Sequence, residues 1–383
     1  MDIVMLGNGF DLHFKLPTTY LCFLKTAELI KKEGSTKTSI GNIFEKIEDE
    51  CKTIKDSRAQ YKEVYDNYIF NDEEINELKR MRSIVNTNPW FKYFINTYNK
   101  DIGWIDFEKE IVKVLDEMVL FLERLSKNHR STFSERNNTV IKFDFFYTIQ
   151  QYNPTLFKIN DEYLDYSNSF QIKKEKILET FFDKLKELSE ALKIYLKIFV
   201  DNPLNAMIEN DIINADFGFD DASFVVTFNY TNTFEQLYTK VQNVFHIHGN
   251  NDNRIILGIN NDEHDEIDDI DTTLIMFKKY YQRALYKTDL EYIELIKMLK
   301  EQSSDTYDAF NTELVRLFVM GHSLDISDKD VIENLFWSAD EIIIYHHSEE
   351  ALASYIKNLV SIFGKEAFDE LRLKHNLTFM SLN

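Results

Sequence analysis

Apolar and polar positions divide this chain into two kinds of segment. Asp2-Ile3-Val4-Met5-Leu6 is a short apolar run stopping at Gly7-Asn8-Gly9, the pattern of a buried strand turning into a loop. Similar runs return late in the chain. Residues 224–228 lead into Asn229-Tyr230, 243–247 into His248-Gly249, 255–257 into Gly258, 317–320 into Gly321-His322-Ser323, and 342–345 into His346-His347-Ser348. Between the first run and the rest the period changes to about 3.6. Residues 104–127 place Ile111, Val114, Leu115, Met118, Leu122 and Leu125 on one helical face, and 172–200 do so with Ile177, Phe181, Leu185, Leu188, Leu192 and Leu196. Pro203 reads as the stop of that second helix.

Helical stretches at 232–240, 328–337 and 349–364 separate several of the late strands, and 377–382 reads as a tail strand at one edge. Strands alternating with helices predict an α/β fold with a Rossmann-like, mostly parallel sheet covered on both faces. Strand one is expected at its centre. The predicted core is discontinuous, 1–19 with 216–383. Residues 20–215 form a large helical insertion, and 264–314 a smaller one within the core. Ligands of such sheets bind in the crevice beyond the carboxyl ends of the strands, which is where the polar residues of this chain fall.

Composition narrows the picture. Only 10 Gly and 4 Pro in 383 residues leave room for long unbroken helices. The formal charge is −21, and the densest basic stretch is Lys173-Lys174-Glu175-Lys176. Duplex binding rests on phosphate neutralisation, so general nucleic-acid binding is not expected. Two cysteines cannot build a four-thiolate zinc site. No apolar run approaches the roughly 20 residues of a membrane span, and no charged leader precedes the first strand. The expectation is a cytoplasmic protein without membrane attachment.

Four motifs carry candidate chemistry. Gly7-Asn8-Gly9-Phe10-Asp11 can let the backbone approach a phosphate, although the third glycine of a dinucleotide fingerprint is missing; a plain tight turn is the alternative. Asn229, just past a strand, can fix a water or a sugar hydroxyl, with Asn232 the better helix cap. His246 and His248 share a strand face, but no acidic or cysteine partner stands at a metal-binding spacing, so no metal is expected. His248, with Gly249 behind it, suits a general base, and its replacement by Ala should leave the fold intact. His246 reads as a core histidine. Gly321-His322-Ser323-Leu324-Asp325 has only part of a nucleophile-elbow pattern. A triad of Ser323 with Asp340 and His346, His347 or His375 fits less well than a turn binding phosphate or ribose. The acidic run 262–271 reads as a solvated loop, and Trp104-Ile105-Asp106-Phe107-Glu108 as the acidic start of a helix.

Together the opening Leu6-Gly7-Asn8-Gly9-Phe10-Asp11-Leu12 with Leu16-Pro17-Thr18 and Tyr20, the 104–108 segment, Phe228-Asn229-Tyr230-Thr231, His248-Gly249 and Gly321-His322-Ser323 with Asp325 resemble the AbiH family of phage abortive infection. The blocks are also distantly similar to the SIR2 (sirtuin-like) nucleotide-binding fold. That resemblance implies an antiphage role, a phage-derived trigger and a nucleotide-like ligand, NAD, whose nicotinamide–ribose bond the protein would hydrolyse. It implies Asn229 and His248 as catalytic residues, and Gly7, Asn8, Gly9, Asp11, Gly321, Ser323 and Asp325 as ligand-binding ones. Deacylation is not expected, because the cysteines of a sirtuin zinc module are missing. The alternatives are a catalytically silent nucleotide sensor, or a hydrolase or nuclease of another kind.

Overall fold

The computed structural model describes the chain except for residues 35–37, 99–105, 129–131, 135–146, 154–155, 160, 166–170, 260–271, 305–313 and 383. Trp104-Ile105 and the acidic 262–271 run lie outside the described residues, as do both flanks of the smaller insertion.

Six strands form the main sheet: β1 (Asp2–Leu6), β2 (Phe224–Thr227), β3 (Val244–His246), β4 (Arg316–Met320), β5 (Glu341–His346) and β6 (Thr378–Ser381). Their spatial order is β3-β2-β1-β4-β5-β6 and every pairing is parallel. This is the doubly wound order of dinucleotide-binding sheets. β1 is central, with Val4 opposite Val225 on one side and Phe318 on the other.

Alternation along β1 divides the core in two. Val4 and Leu6 join one apolar cluster with Trp90, Phe107, Ile111, Leu192 and Tyr195 of the helical region. Ile3 and Met5 join the other, with Val226, Leu317, Ile332, Ile344 and Leu359. Burial on both faces is why these strands read as continuous apolar runs rather than alternating ones.

The helices that bear on the site are α1 (Gly9–His13), α2 (Tyr20–Glu33), α3 (Phe107–Asn128), α4 (Lys174–Leu196), α5 (Lys279–Tyr286), α6 (Lys329–Ser338) and α7 (Glu349–Lys374). The Thr19 side chain caps α2 by accepting from Cys22 N. α7 runs on past Gly364, which kinks it at φ 76°.

Three expectations need correction. Residues 255–257 are not a strand. Gly249 turns the chain at φ 72°, and the segment then bonds irregularly, Ile256 N to His248 O at 2.9 Å and Gln282 Nε2 to Leu257 O at 3.0 Å. Its apolar side chains are buried, so burial alone produced the strand-like signal. Pro203 does not stop α4. The chain continues through a π-helical turn, Lys197–Asp201, into a helix at Asn202–Glu209, whose first turn holds the proline where its missing N–H costs nothing. The 20–215 stretch is also not purely helical. Thr132–Ser134, Tyr147–Asn153 and Leu156–Ile159 form a small antiparallel sheet, and Leu164–Asp165 pairs with Gln171–Ile172. Tyr147-Thr148-Ile149 supplies the β-branched and aromatic residues that favour it.

Candidate functional site

A doubly wound sheet opens a crevice where its strand order reverses, here between β1 and β4. A cleft of about 1100 Å³ lies there, and Gly7, Asn8, Gly9, Asp11, Asn229, His248, Gly321, Ser323 and Asp325 all line it. The fold thus brings together all nine candidate residues, although Gly7 and Asp325 stand at opposite ends of the sequence.

The glycines do a different job from the expected one. A Cβ on Gly7 would meet His322 Cα at 2.5 Å, and one on Gly9 would meet Gly321 Cα at 2.7 Å. Gly321 has φ +70°, and a Cβ there would lie 2.1 Å from Phe10 N. The small residues therefore let the loops after β1 and β4 pack backbone to backbone. Their amides are used within the protein as well: Gly7 N donates to Met320 O, Gly9 N to Gly321 O and Phe10 N to Gly7 O. These three N–H groups do not face a diphosphate.

Asn229 is buried beyond β2, and its N–H donates to Thr227 Oγ1 at 3.1 Å. Its backbone carbonyl accepts from His246 Nδ1 at 3.0 Å, and the other nitrogen of that ring lies 2.6 Å from Glu235 Oε1. Burial draws the His246 pKa down, but Glu235 more than offsets this and holds it above its ordinary value. A histidine–carboxylate pair thus pins the backbone that carries Asn229. Asn232 sits at the expected cap position, but its amide bonds Asn251 and Asp252 instead.

His248, buried beyond β3, has its Nε2 3.3 Å from Asp328 Oδ1. Burial, reinforced by the Lys279 charge, pulls its pKa down to about 4, so the ring is neutral at physiological pH. With Nε2 turned to a carboxylate, Nδ1 is the nitrogen left to accept a hydrogen bond from a ligand. The ring is also part of the core, packing edge-on against Phe228 at 5.3 Å. Removing it therefore costs packing as well as chemistry, contrary to the expectation from its strand-end position.

Asp328 gathers several groups. His322 Nε2 lies 3.5 Å from Asp328 Oδ2. Leu324 N donates to His322 Nδ1 at 2.9 Å, which places the ring proton on Nε2, facing the carboxylate. Lys279 Nζ, from α5, lies 3.3 Å from Asp328 Oδ1 and 2.7 Å from Glu108 Oε1 at the start of α3. Burial alone would raise the Asp328 pKa, but Lys279 and the two histidines hold it well below the usual carboxylate range. Glu108 behaves oppositely: burial lifts it to about 7 against the pull of Lys279. Asp11, fully buried, accepts from Thr231 Oγ1 at 2.7 Å and is pushed up by burial to about 6.

Glu108, His322, Asp328 and Lys279 are site residues that the sequence pattern did not single out as such. Glu108 and His322 stood inside recognised motifs, whereas nothing in the sequence marks Lys279 or Asp328 as partners. Asp340 is bonded to Val315 N at the opposite end of the sheet, so Ser323 has no triad with it. Among the described residues no group of three or more His, Cys, Asp or Glu is arranged to hold a metal ion, and no helix is long and apolar enough to cross a membrane.

The sheet order, with a cleft at its reversal point, defines a doubly wound α/β protein. A family model, bacteriophage abortive infection AbiH, matches residues 3–345, and the chain belongs to that family. It is a phage abortive-infection protein. No curated protein and no solved structure matches it.

Proposed function

We propose that the cleft binds NAD or a related nucleotide and hydrolyses its nicotinamide–ribose bond when a phage-derived trigger activates the protein, as the resemblance to the SIR2-like fold implies. One observation carries the reading. Asn229 Oδ1 is a buried polar atom without a hydrogen-bond partner among the described residues, and Asn229 lines the same cleft as His248. Unpaired buried polar groups are costly and rare, and they collect where a ligand completes them. The cleft, at about 1100 Å³, stands at the upper end of the roughly 300–1000 Å³ typical of small-molecule sites. It has room for a dinucleotide.

Cleavage of this bond needs an oriented ribose, a held water and little bulk solvent, because the leaving group is already cationic. Asn229 offers a fixed carbonyl and amide to a ribose hydroxyl or water. His248, neutral and oriented by Asp328, accepts a hydrogen bond from a ribose hydroxyl at Nδ1. The carboxylates around the cleft favour the positive charge that develops on the sugar. With the loop amides engaged, the side chains of Asn8, Lys15 and Ser323, all on the cleft wall, meet the diphosphate.

The test is calorimetric NAD binding together with nicotinamide release by the purified protein, with and without trigger. Asn229→Ala should bind NAD and lose at least about a hundredfold in release, as a lost transition-state donor does. Wild-type protein that binds NAD and never releases nicotinamide would make the cleft a nucleotide sensor. Absence of binding would remove the nucleotide reading altogether.

A further inference from the structure

The cleft is built from more than the ends of the strands. α3 belongs to the helical region, yet its first turn and the residue before it deliver Glu108 and Asp106 to the cleft wall. Tyr20 of α2 fixes that turn by stacking on Phe107, ring centroids 4.0 Å apart. Glu108 Oε1 is held by Lys279 at 2.7 Å, and the Glu108 side chain, which lines the cleft, keeps 26% of its surface. Lys279 itself is only 3% exposed and ties Glu108 to Asp328 at 3.3 Å, and so to His248. Among the described residues no other carboxylate of the cleft joins partial exposure to a buried cation.

We propose that Glu108 is the base that activates the attacking water, with Lys279 as the residue that positions it. The inference rests on the hydrolytic reading above. Water oxygen bonds to the ribose C1′ while the C1′–N bond breaks. The electron pair of that bond leaves with the pyridine nitrogen as neutral nicotinamide. The water proton passes to the Glu108 carboxylate and then to solvent. His248 is a poor candidate for this step, since a base works best when its pKa lies near the operating pH, and the His248 pKa is pulled down to about 4. Glu108, lifted to about 7, is matched to it. The groups facing Glu108 are Asp106 and Lys109 on its own helix, Lys279 on α5, Asp328 beyond β4, Tyr230 beyond β2 and Tyr20 on α2. Of these only Lys279 bonds it directly.

The experiment measures nicotinamide release by the triggered full-length protein from pH 5 to 9. Wild type should gain rate as pH rises through about 7. Glu108→Gln should fall by at least about a hundredfold and lose that rise, and Glu108→Asp should recover part of both. Lys279→Met, if it folds, should move the rise to higher pH, because the carboxylate has lost its cation. Asp201 is also pushed up to about 7, so a rise that survives in Glu108→Gln belongs to Asp201 and overturns the proposal. A wild-type rate in Glu108→Gln overturns it equally. Wild type that protects cells but releases no nicotinamide defeats the hydrolytic reading and this role with it. That outcome is told apart by the silence of the wild type itself.

Discussion

Two buried charged clusters flank the ends of the central strands, and only one of them holds a lysine among the described residues. The first contains Glu108, Lys279, Asp328, His248 and His322. The second contains Asp11, Asp201, Glu235 and His246, tied to Asn232 and Asn251 through Asp201. Lys279 supplies the first with a resident cation, and Asp328 there is held ionised well below its ordinary pKa. In the second, no lysine or arginine pairs with any of the three carboxylates among the described residues. Burial then raises Asp11 to about 6 and Asp201 to about 7. Depth is similar in both, yet only Asp328, which meets Lys279 and two histidines, is held below its ordinary pKa, while Glu108 beside the same lysine is still lifted to about 7. Asp328 can hold fixed charge against a ligand, whereas Glu108 and the carboxylates of the second cluster exchange protons near neutral pH, and the second cluster braces the Asn229 loop.

Removing the cation should produce the largest effect. Lys279→Met leaves two buried carboxylates unpaired and should cost about 3–5 kcal/mol in urea denaturation at pH 7. Adding Asp328→Asn should restore part of that loss. A double variant no more stable than Lys279→Met would show that the lysine acts through packing, and the comparison would fail.

Protonation gives the next effect, with opposite signs for the second cluster and for Asp328. The folded pKa values of Asp11 and Asp201 lie above the ordinary 3.8. Their contribution to stability is therefore full below about pH 4 and is lost as pH rises through about 6 and 7. Asp328 has the reverse sign: its contribution is present above the ordinary value and is lost as pH falls through its depressed one. Asp201→Asn should match wild type at pH 4 and exceed it by up to about 4 kcal/mol at pH 8, since a tenfold change in a protonation equilibrium corresponds to about 1.4 kcal/mol. Equal stabilities at pH 8 would mean that Asp201 stays charged in the fold.

The smallest effect should come from outside both clusters. Cys22 is buried, with its Sγ 3.4 Å from Cys51 Sγ and 3.0 Å from Thr19 Oγ1. Cys22→Ser keeps a polar partner in Thr19 and should cost about 1 kcal/mol, with the rate unchanged. A large loss of rate would tie the thiol pair to the cleft, which Thr19 lines.

The two clusters were unequally legible in the sequence. The strands were read because both faces of the sheet are covered, which turns each strand into an apolar run, and because polar residues follow each run at its carboxyl end. That logic reaches Asn229 and His248, which stand directly after strands. It does not reach Lys279 or Asp328, since a single lysine on a short helix and an aspartate among several carry no pattern. Their pairing depends on α5 meeting the residue just before α6, which is a tertiary fact. Nor does it reach Asp201, which a π-helical turn places against Asn232 and Asn251. The glycines were found, but not the close packing of two loops that requires them. Spacing shows that a backbone comes close, and only the fold shows that the neighbour is Gly321.

The central claim is that Asn229 and His248 act on one nucleotide in this cleft, and infected cells test it most directly. The measurement is cellular NAD and nicotinamide by mass spectrometry through a phage infection. It compares cells carrying wild type, Asn229→Ala or His248→Gln, the last retaining a side chain to pack against Phe228. The account predicts that NAD falls and nicotinamide rises as wild type protects, and that both changes and the protection disappear in each variant expressed at equal level. Protection by wild type with NAD undiminished would contradict it.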